Sequence, residues 1–172
     1  MRTDKLIIGE SRGAEFAEFL ICANSGMNGS MTTLHANSPK LALQKMTQFV
    51  MLAKEQPIRI INKNIATTID LIVQLEKFPN GQYKMTSIEE VSRILGRDES
   101  AEIATTPLSV WDSHSKSWSD SFLISDNLRK AFESHGYECQ NFTKHRSFST
   151  EQNVDEEDKN NINSNRRRLF GR

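Results

Sequence analysis

Two apolar periodicities alternate along the first 91 residues and predict an α/β fold. A short apolar run ended by glycine, residues 5–9, is typical of a buried strand. Residues 14–24 have the helical period, and residues 30–36 are rich in β-branched side chains, as strands are. The stripe expected to be buried on the helix consists of Phe16, Phe19, Leu20 and Ala23. The pattern thus predicts a strand, a helix and a second strand.

Two more helices follow, and capping residues define where the first of them starts. Ser38 offers a hydroxyl cap, and Pro39 occupies the first helical position, where its missing N–H costs nothing. The other helix opens near Pro57. The side chains expected to face inward are Ala42, Met46, Phe49, Val50 and Ala53 in one helix, and Ile58, Ile61, Ile65 and Thr68 in the other.

The rest of the patterned chain predicts two hairpins and a short helix. Residues 70–78 and 83–89 are expected to be strands joined by the turn Pro79-Asn80-Gly81. Residues 105–111 and 116–123 predict a smaller hairpin around Trp111 and Trp118, a pair that favours a small core over a base-stacking platform. A short helix is then predicted from the cap Ser125 to Gly136, with Leu128, Ala131 and Phe132 inward.

Composition narrows the classes of function. The 172 residues carry 22 basic and 22 acidic side chains, so net charge gives no argument for nucleic-acid or membrane binding. No secretory signal and no apolar run of about 20 residues is visible, which predicts a cytoplasmic protein. Cys22 lies among apolar residues and is expected to be a small buried hydrophobe.

The last part of the sequence is polar, and residues 143–172 are expected to be disordered. It contains an acidic run at residues 155–158 and three arginines at residues 166–168. The arginines are open to several interpretations: a solvated charge run, which is favoured, or a contact with nucleic acid, an acidic partner or anionic lipid.

Glu10 is the candidate for chemistry because it ends an apolar strand. Phosphoryl transfer to water needs a phosphate cradle, a metal and a group that orients the attacking water, and a carboxylate at a strand tip suits the last role. The structural alternative is that Glu10 caps the following helix or pairs with Arg12. His35, at the tip of the next strand, either contacts a terminal phosphate or is satisfied by backbone groups. Convergence of Arg12 and His35 on Glu10 would support the catalytic role of Glu10.

Several motifs in order then resemble one family. Residues 1–15, MRTDKLIIGESRGAE, are similar to the Walker B segment of the type II/type IV secretion ATPase superfamily, and residues 24–38, NSGMNGSMTTLHANS, to its His box. Residues 57–59 and 65–74 continue the match. The resemblance covers residues 1–91, and the tight-adherence pilus branch is the nearest match in a superfamily that also powers type IV secretion and conjugative transfer. It implies a partial RecA-like P-loop domain, a three-layer sandwich fragment, with a C-terminal hairpin and a small α+β appendage.

The resemblance also implies roles for particular residues. Glu10 would polarise the hydrolytic water and hold Mg²⁺ through water, and His35 would face the terminal phosphate of ATP. Arg12 would couple the site to neighbouring elements, with Gly9 and Thr33 also close to the nucleotide. Family members are expected to form homo-hexamers in the cytoplasm, peripheral to the inner membrane, where they drive secretion or pilus machinery. Nucleic acid is not an expected partner.

Departures from the family pattern qualify this expectation. Thr3 replaces the usual proline, and Met27 and Asn28 stand where His and Asp are frequent. None of the eight glycines precedes a lysine, so the 172 residues contain no G-x-x-x-x-G-K-[ST] loop. The chain is therefore expected to be inactive alone, and to need a complementary Walker A-bearing chain. The alternative is a non-catalytic module that docks on an intact ATPase ring.

The expected organisation has three parts: residues 1–93 as the C-terminal part of the ATPase domain, residues 94–142 as the appendage, and residues 143–172 as the tail. Without the Walker A strand, one edge of the strand at residues 6–8 should lack its neighbour. An exposed apolar edge favours pairing with other chains. The isolated chain is thus expected to be poorly soluble or partly molten.

Overall fold

A computed structural model describes residues 4–93, 103–121, 123–139 and 143–144. Four helices lie among them: α1 (Glu15–Asn24), α2 (Pro39–Ala53), α3 (Ile58–Thr68) and α4 (Asp126–Ser134). The strands are β1 (Ile7–Ile8), β2 (Met31–Thr32), β3 (Leu71–Lys77), β4 (Tyr83–Arg93), β5 (Ile103–Asp112), β6 (Ser117–Asp120), β7 (Leu123–Ile124) and β8 (Thr143–Lys144). Of the predicted disordered tail, the structure describes only the two residues of β8, and the rest lies outside the described residues. No described helix is long and apolar enough to cross a bilayer.

The predicted α/β character is confirmed by strands and helices that alternate over the first part of the chain. β1 and β2 pair in parallel, with Ile7 opposite Met31 and Ile8 opposite Thr32, and α1 connects them. The strand predicted as buried is only partly so, because Ile7 is 69% exposed. Its sheet has two strands, and Leu6 and Ile8 pack against the main core.

Four of the remaining strands form an antiparallel sheet in the order β3-β4-β5-β6, and β7 pairs with β8 in parallel in a separate two-stranded sheet. The hairpin of β3 and β4 was predicted, and Gly81 adopts the positive φ, +80°, that its turn requires. The second predicted hairpin, β5 and β6, pairs through β5 with β4, so one sheet crosses the predicted division at residue 93. That division stays a prediction.

The helices pack on one another and on this sheet around the main core. Its buried residues are Phe16, Phe19, Leu20, Ala42, Leu43, Met46, Val50, Ile61, Ile65, Ile72 and Val91. The predicted cap of α2 is confirmed, because Ser38 Oγ accepts a hydrogen bond from the Leu41 amide at 3.3 Å. The sequence pattern missed Leu43, which is buried because the inner face of α2 contacts both α1 and α3.

Some predicted inward positions are wrong. Ile58 is 55% exposed, and Ala53 is also exposed. They are the first residue of α3 and the last residue of α2, and neither packs against the main core. Ala131 of α4 is also exposed, since only the side of that helix with Leu128 and Phe132 meets the small second core. Cys22 is half-buried, at the C-terminal end of α1.

The two tryptophans do not build the core predicted for them. Trp111 and Trp118 lie opposite each other in β5 and β6, their ring centroids 5.7 Å apart, and Trp118 is 37% exposed. The second core instead consists of Ile124, Leu128 and Cys139, with Leu108 and Phe132 packed against it. The predicted cap Ser125 is confirmed, and Gly136, at φ +83°, follows the end of α4 as expected.

Candidate functional site

Glu10, Arg12 and His35 meet just beyond the ends of β1 and β2. The Arg12 guanidinium donates from Nη2 to Glu10 Oε2 at 2.5 Å. His35 Nε2 lies 3.0 Å from Glu10 Oε1, so each carboxylate oxygen has its own partner. The predicted convergence of Arg12 and His35 on Glu10 is therefore observed.

Parallel pairing of β1 and β2 explains the convergence. The carboxyl ends of parallel strands meet at one sheet edge, and residues just after them are brought together. Hydrogen bonds extend the pairing past the strands: the Ser11 amide donates to the Thr33 carbonyl at 2.8 Å, and Thr33 Oγ1 donates to the Gly9 carbonyl at 2.6 Å. Gly9 and Thr33, both predicted near the site, thus join its two halves.

Ser11 is a part of the site that sequence reasoning missed. Its side chain is almost fully buried, 1% exposed, between Glu10 and Arg12 in sequence. Ser11 Oγ lies 2.8 Å from Thr32 Oγ1, which provides a hydrogen bond between the two strand ends. A small polar residue between two charged residues, matched by the hydroxyls of the next strand, was the signal available in the sequence. Ser11 fixes the backbone from which Glu10 and Arg12 project.

The site's charges stabilise an ionised Glu10. The hydrogen bond from Arg12 lowers the pKa of Glu10, the Arg12 and His35 charges act in the same direction, and burial opposes them. The same contact raises the pKa of Arg12. Backbone amides, chiefly that of Arg12, lower the pKa of Glu15, whose carboxylate accepts from the Arg12 and Gly13 amides before α1. Glu10 is therefore an anion that orients neighbouring donors.

Exposure shows which groups at the site face solvent. The Glu10 side chain is 24% exposed, whereas those of Arg12 and His35 are 78% and 87% exposed. The described residues include no group of three or more His, Cys, Asp or Glu side chains able to hold a metal ion. Glu10 alone is not a complete metal site, but it fits a contact with a hydrated Mg²⁺ through water. The two exposed nitrogen donors fit contact with an anion.

The family can now be assigned. A sequence model of the family described as "Type II/IV secretion system protein" matches residues 1–159. The chain belongs to this family. The match covers most of the 172 residues and so extends beyond residues 1–91, which carried the resemblance seen in the sequence. The family named from the motifs alone is thereby confirmed.

Two relatives that are similar in sequence support the assignment. The chain is 31% identical over 93 residues to the probable conjugal transfer protein TrbB of Sinorhizobium fredii, covering 54% of this chain and 27% of that protein. It is 28% identical over 78 residues to the type IV secretion system protein VirB11 of Brucella suis, covering 44% and 22%. The chain thus spans about a quarter of these relatives.

A solved structure is similar over part of the chain. The crystal structure of the VirB11 ATPase from the Brucella suis type IV secretion system, in complex with sulphate, superposes with a TM-score of 0.49 at 23% identity. The superposition covers 52% of this chain and 28% of that one. The family assignment rests on the sequence model and not on this superposition.

Proposed function

We propose that this chain supplies the water-orienting half of an ATP hydrolysis site in a secretion, conjugation or pilus-assembly ATPase. The observation that carries the proposal is the bridging position of Glu10 between Arg12 and His35 at the carboxyl ends of two parallel strands. Strand ends of this kind are where open α/β sheets bind ligands. Membership of the type II/IV secretion family supports ATP as this ligand.

Each residue then has a defined part. Glu10 accepts a hydrogen bond from the attacking water and aligns it, which its ionised state favours. His35 releases Glu10 Oε1 to that water and donates from Nε2 toward the terminal phosphate oxygens. Arg12 stays with the other carboxylate oxygen and adds positive charge beside the anion. Thr33 and Gly9 keep the two strand ends together during this exchange.

ATP would supply the phosphoryl group, and a Mg²⁺ ion contacted by Glu10 through water would neutralise part of its charge. The 172 residues contain no G-x-x-x-x-G-K-[ST] loop to hold the phosphates. The phosphate cradle must come from another polypeptide segment. We therefore propose that the chain works with a complementary Walker A-bearing segment. The assembly that contains both segments is proposed to be a homo-hexamer. Its place would be cytoplasmic, at inner-membrane secretion or pilus machinery.

Complementation tests the proposal. We expect no turnover by the 172-residue chain alone and ATP hydrolysis when a Walker A-bearing segment of a secretion ATPase is added. Glu10→Gln should lower kcat by about 10²–10⁴-fold and leave nucleotide binding unchanged, because it removes the carboxylate charge that polarises the attacking water. Glu18→Gln, on the exposed side of α1, is the matched control and should retain turnover. Robust hydrolysis by the chain alone, or full activity of Glu10→Gln, would contradict the proposal.

A second candidate function is a non-catalytic module that docks on an intact secretion ATPase ring. Its support is the exposed apolar pair on β1 and β2, where Ile7 is 69% and Met31 is 59% exposed. Under this alternative, co-purification with the ring should survive Glu10→Ala and His35→Ala. It should be lost in the Ile7→Asp, Met31→Asp double variant. Loss of co-purification in the Glu10 and His35 variants would favour the catalytic proposal.

A further inference from the structure

Two side chains from different elements hold the backbone on which His35 stands. Residues 33–38 connect β2 to α2 without regular secondary structure. Lys45 of α2 donates from Nζ to the His35 carbonyl. Gln74 of β3 donates from Nε2 to the next carbonyl, that of Ala36, at 3.2 Å. Consecutive carbonyls are thereby tied to a helix and to the antiparallel sheet.

The imidazole needs this support because packing does not orient it. Its side chain is 87% exposed, and its contact with Glu10 is a single one at 3.0 Å. An exposed side chain samples several rotamers, and where its ring lies depends first on where its backbone is held. Lys45 and Gln74 are both half-buried, and they lie ten and 38 residues after their respective acceptors in the sequence, on two different elements.

We infer that Lys45 and Gln74 are positioning residues for His35: they hold its backbone so that the imidazole reaches Glu10 and the space in front of it. The catalytic role of His35 in this inference rests on the proposed function. The way Lys45 and Gln74 hold the His35 backbone does not depend on that function. Neither side chain touches the carboxylate of Glu10 in this arrangement. They act through the His35–Ala36 backbone alone, and they couple α2 and the sheet to the site.

Carboethoxylation of histidine by diethylpyrocarbonate, followed by peptide-resolved mass spectrometry of the whole chain at one fixed pH, tests the geometry. The Glu10 contact shields His35 Nε2, and Glu10→Gln gives the reference rate for a weakened contact. We expect Lys45→Met and Gln74→Met to raise the His35 modification rate toward that reference, by about fivefold for the loss of one net hydrogen bond. Exposed His114 and His135 in the same chain are internal controls and should not change.

Matched variants separate positioning from general destabilisation. Lys40→Met, at an exposed position of the same helix, and Gln56→Met, in the loop before α3, should leave the His35 rate unchanged. Lys45→Arg keeps a long cationic donor and should restore the wild-type rate. The thermal unfolding midpoint of each variant is measured, and modification rates are compared among variants whose midpoint equals that of the wild-type chain. Unaltered His35 rates in both Lys45→Met and Gln74→Met would overturn the inference.

Activity provides a second readout in the complemented ATPase. Both Met variants should lower kcat by about 10- to 100-fold with little change in the KM for ATP, since they misplace a group and remove no binding contact. The His35 modification rate and the ATPase activity test different claims, so the positioning role and the proposed function can be rejected independently. Altered His35 reactivity without any recoverable ATPase activity would leave positioning intact and reject the proposed function. Normal kcat in both variants of an active complex would reject positioning.

Discussion

The Glu90 carboxylate accepts two hydrogen bonds from Ser125, one from its amide at 2.9 Å and one from its hydroxyl at 2.5 Å. Glu90 belongs to β4 and is only 5% exposed, and Ser125 is the N-cap of α4. The same hydroxyl accepts from the Leu128 amide at 3.2 Å. The first turn of α4 is therefore fastened to the sheet through one buried carboxylate.

Ser125→Ala should destabilise the chain more than loss of an ordinary cap. The substitution removes the cap of α4 and leaves a buried oxygen of Glu90 without its hydroxyl donor, so we expect a loss of about 1–3 kcal/mol in the free energy of unfolding. Ser38→Ala removes a cap without a buried carboxylate and is the matched control, at about 1 kcal/mol. Urea unfolding measures both, and equal losses would contradict a special role for Glu90.

Burial should separate two isoleucines of α3. Ile65 is fully buried, whereas Ile60 is 47% exposed. We expect Ile65→Ala to lower the free energy of unfolding by about 2–5 kcal/mol, because it leaves a cavity in the main core. Ile60→Ala, the same change in the same helix, should stay within about 0.5 kcal/mol. Similar losses for the two variants in chemical unfolding would show that α3 packs by another face.

The exposed pair Ile7 and Met31 should drive self-association of the isolated chain. They lie opposite each other in a two-stranded sheet, and apolar surface of this kind favours contacts between chains. The Ile7→Thr, Met31→Thr double variant should reduce light scattering at a given concentration. Leu52→Thr, at a position 72% exposed in α2, is the control and should reduce it little. A wild-type chain that is monodisperse and melts sharply would contradict this prediction.

Asp70 should make stability depend on pH. Partial desolvation of the Asp70 carboxyl, and to a lesser extent the charge of Glu90, raise the pKa of Asp70 above its ordinary value, although the residue as a whole is exposed. The folded chain then binds the proton more tightly than the unfolded chain. The contribution of Asp70 to stability is thus present below the unfolded pKa and is lost as the pH rises through the folded pKa.

Asp70→Asn should accordingly raise the thermal unfolding midpoint at neutral pH by a small amount, because solvent screens an exposed carboxylate, and lose this advantage in acid. Asp4→Asn removes a carboxylate at an exposed position and is the control, with little change expected at either pH. Differential scanning calorimetry at pH values on both sides of the ordinary carboxyl pKa measures the effect. A gain of the same size in acid and at neutral pH would point to a cause other than titration.

Local sequence signals predicted most of the elements and the polar centre of the site. The cap at Ser38, the turn at Gly81 and the buried Ile61 follow from turn chemistry and helical period alone. The meeting of Glu10 and His35 followed from a simple rule, that residues ending neighbouring parallel strands share an edge. The inward position predicted for Ile58 was wrong because this residue begins α3, and helical periodicity does not show where the end of a helix leaves the core.

The amino-acid order by itself determined the family, the succession of strands and helices, and the side chains able to do chemistry, because each depends on residues close together in the chain. Only the tertiary structure decided that β5 pairs with β4, that Glu90 accepts hydrogen bonds from Ser125, and that Gln74 donates to the Ala36 carbonyl. Such contacts join residues far apart in sequence, and many partners offer the same donors and acceptors. The choice among them is made by the packing of the whole fold, which excludes all but one.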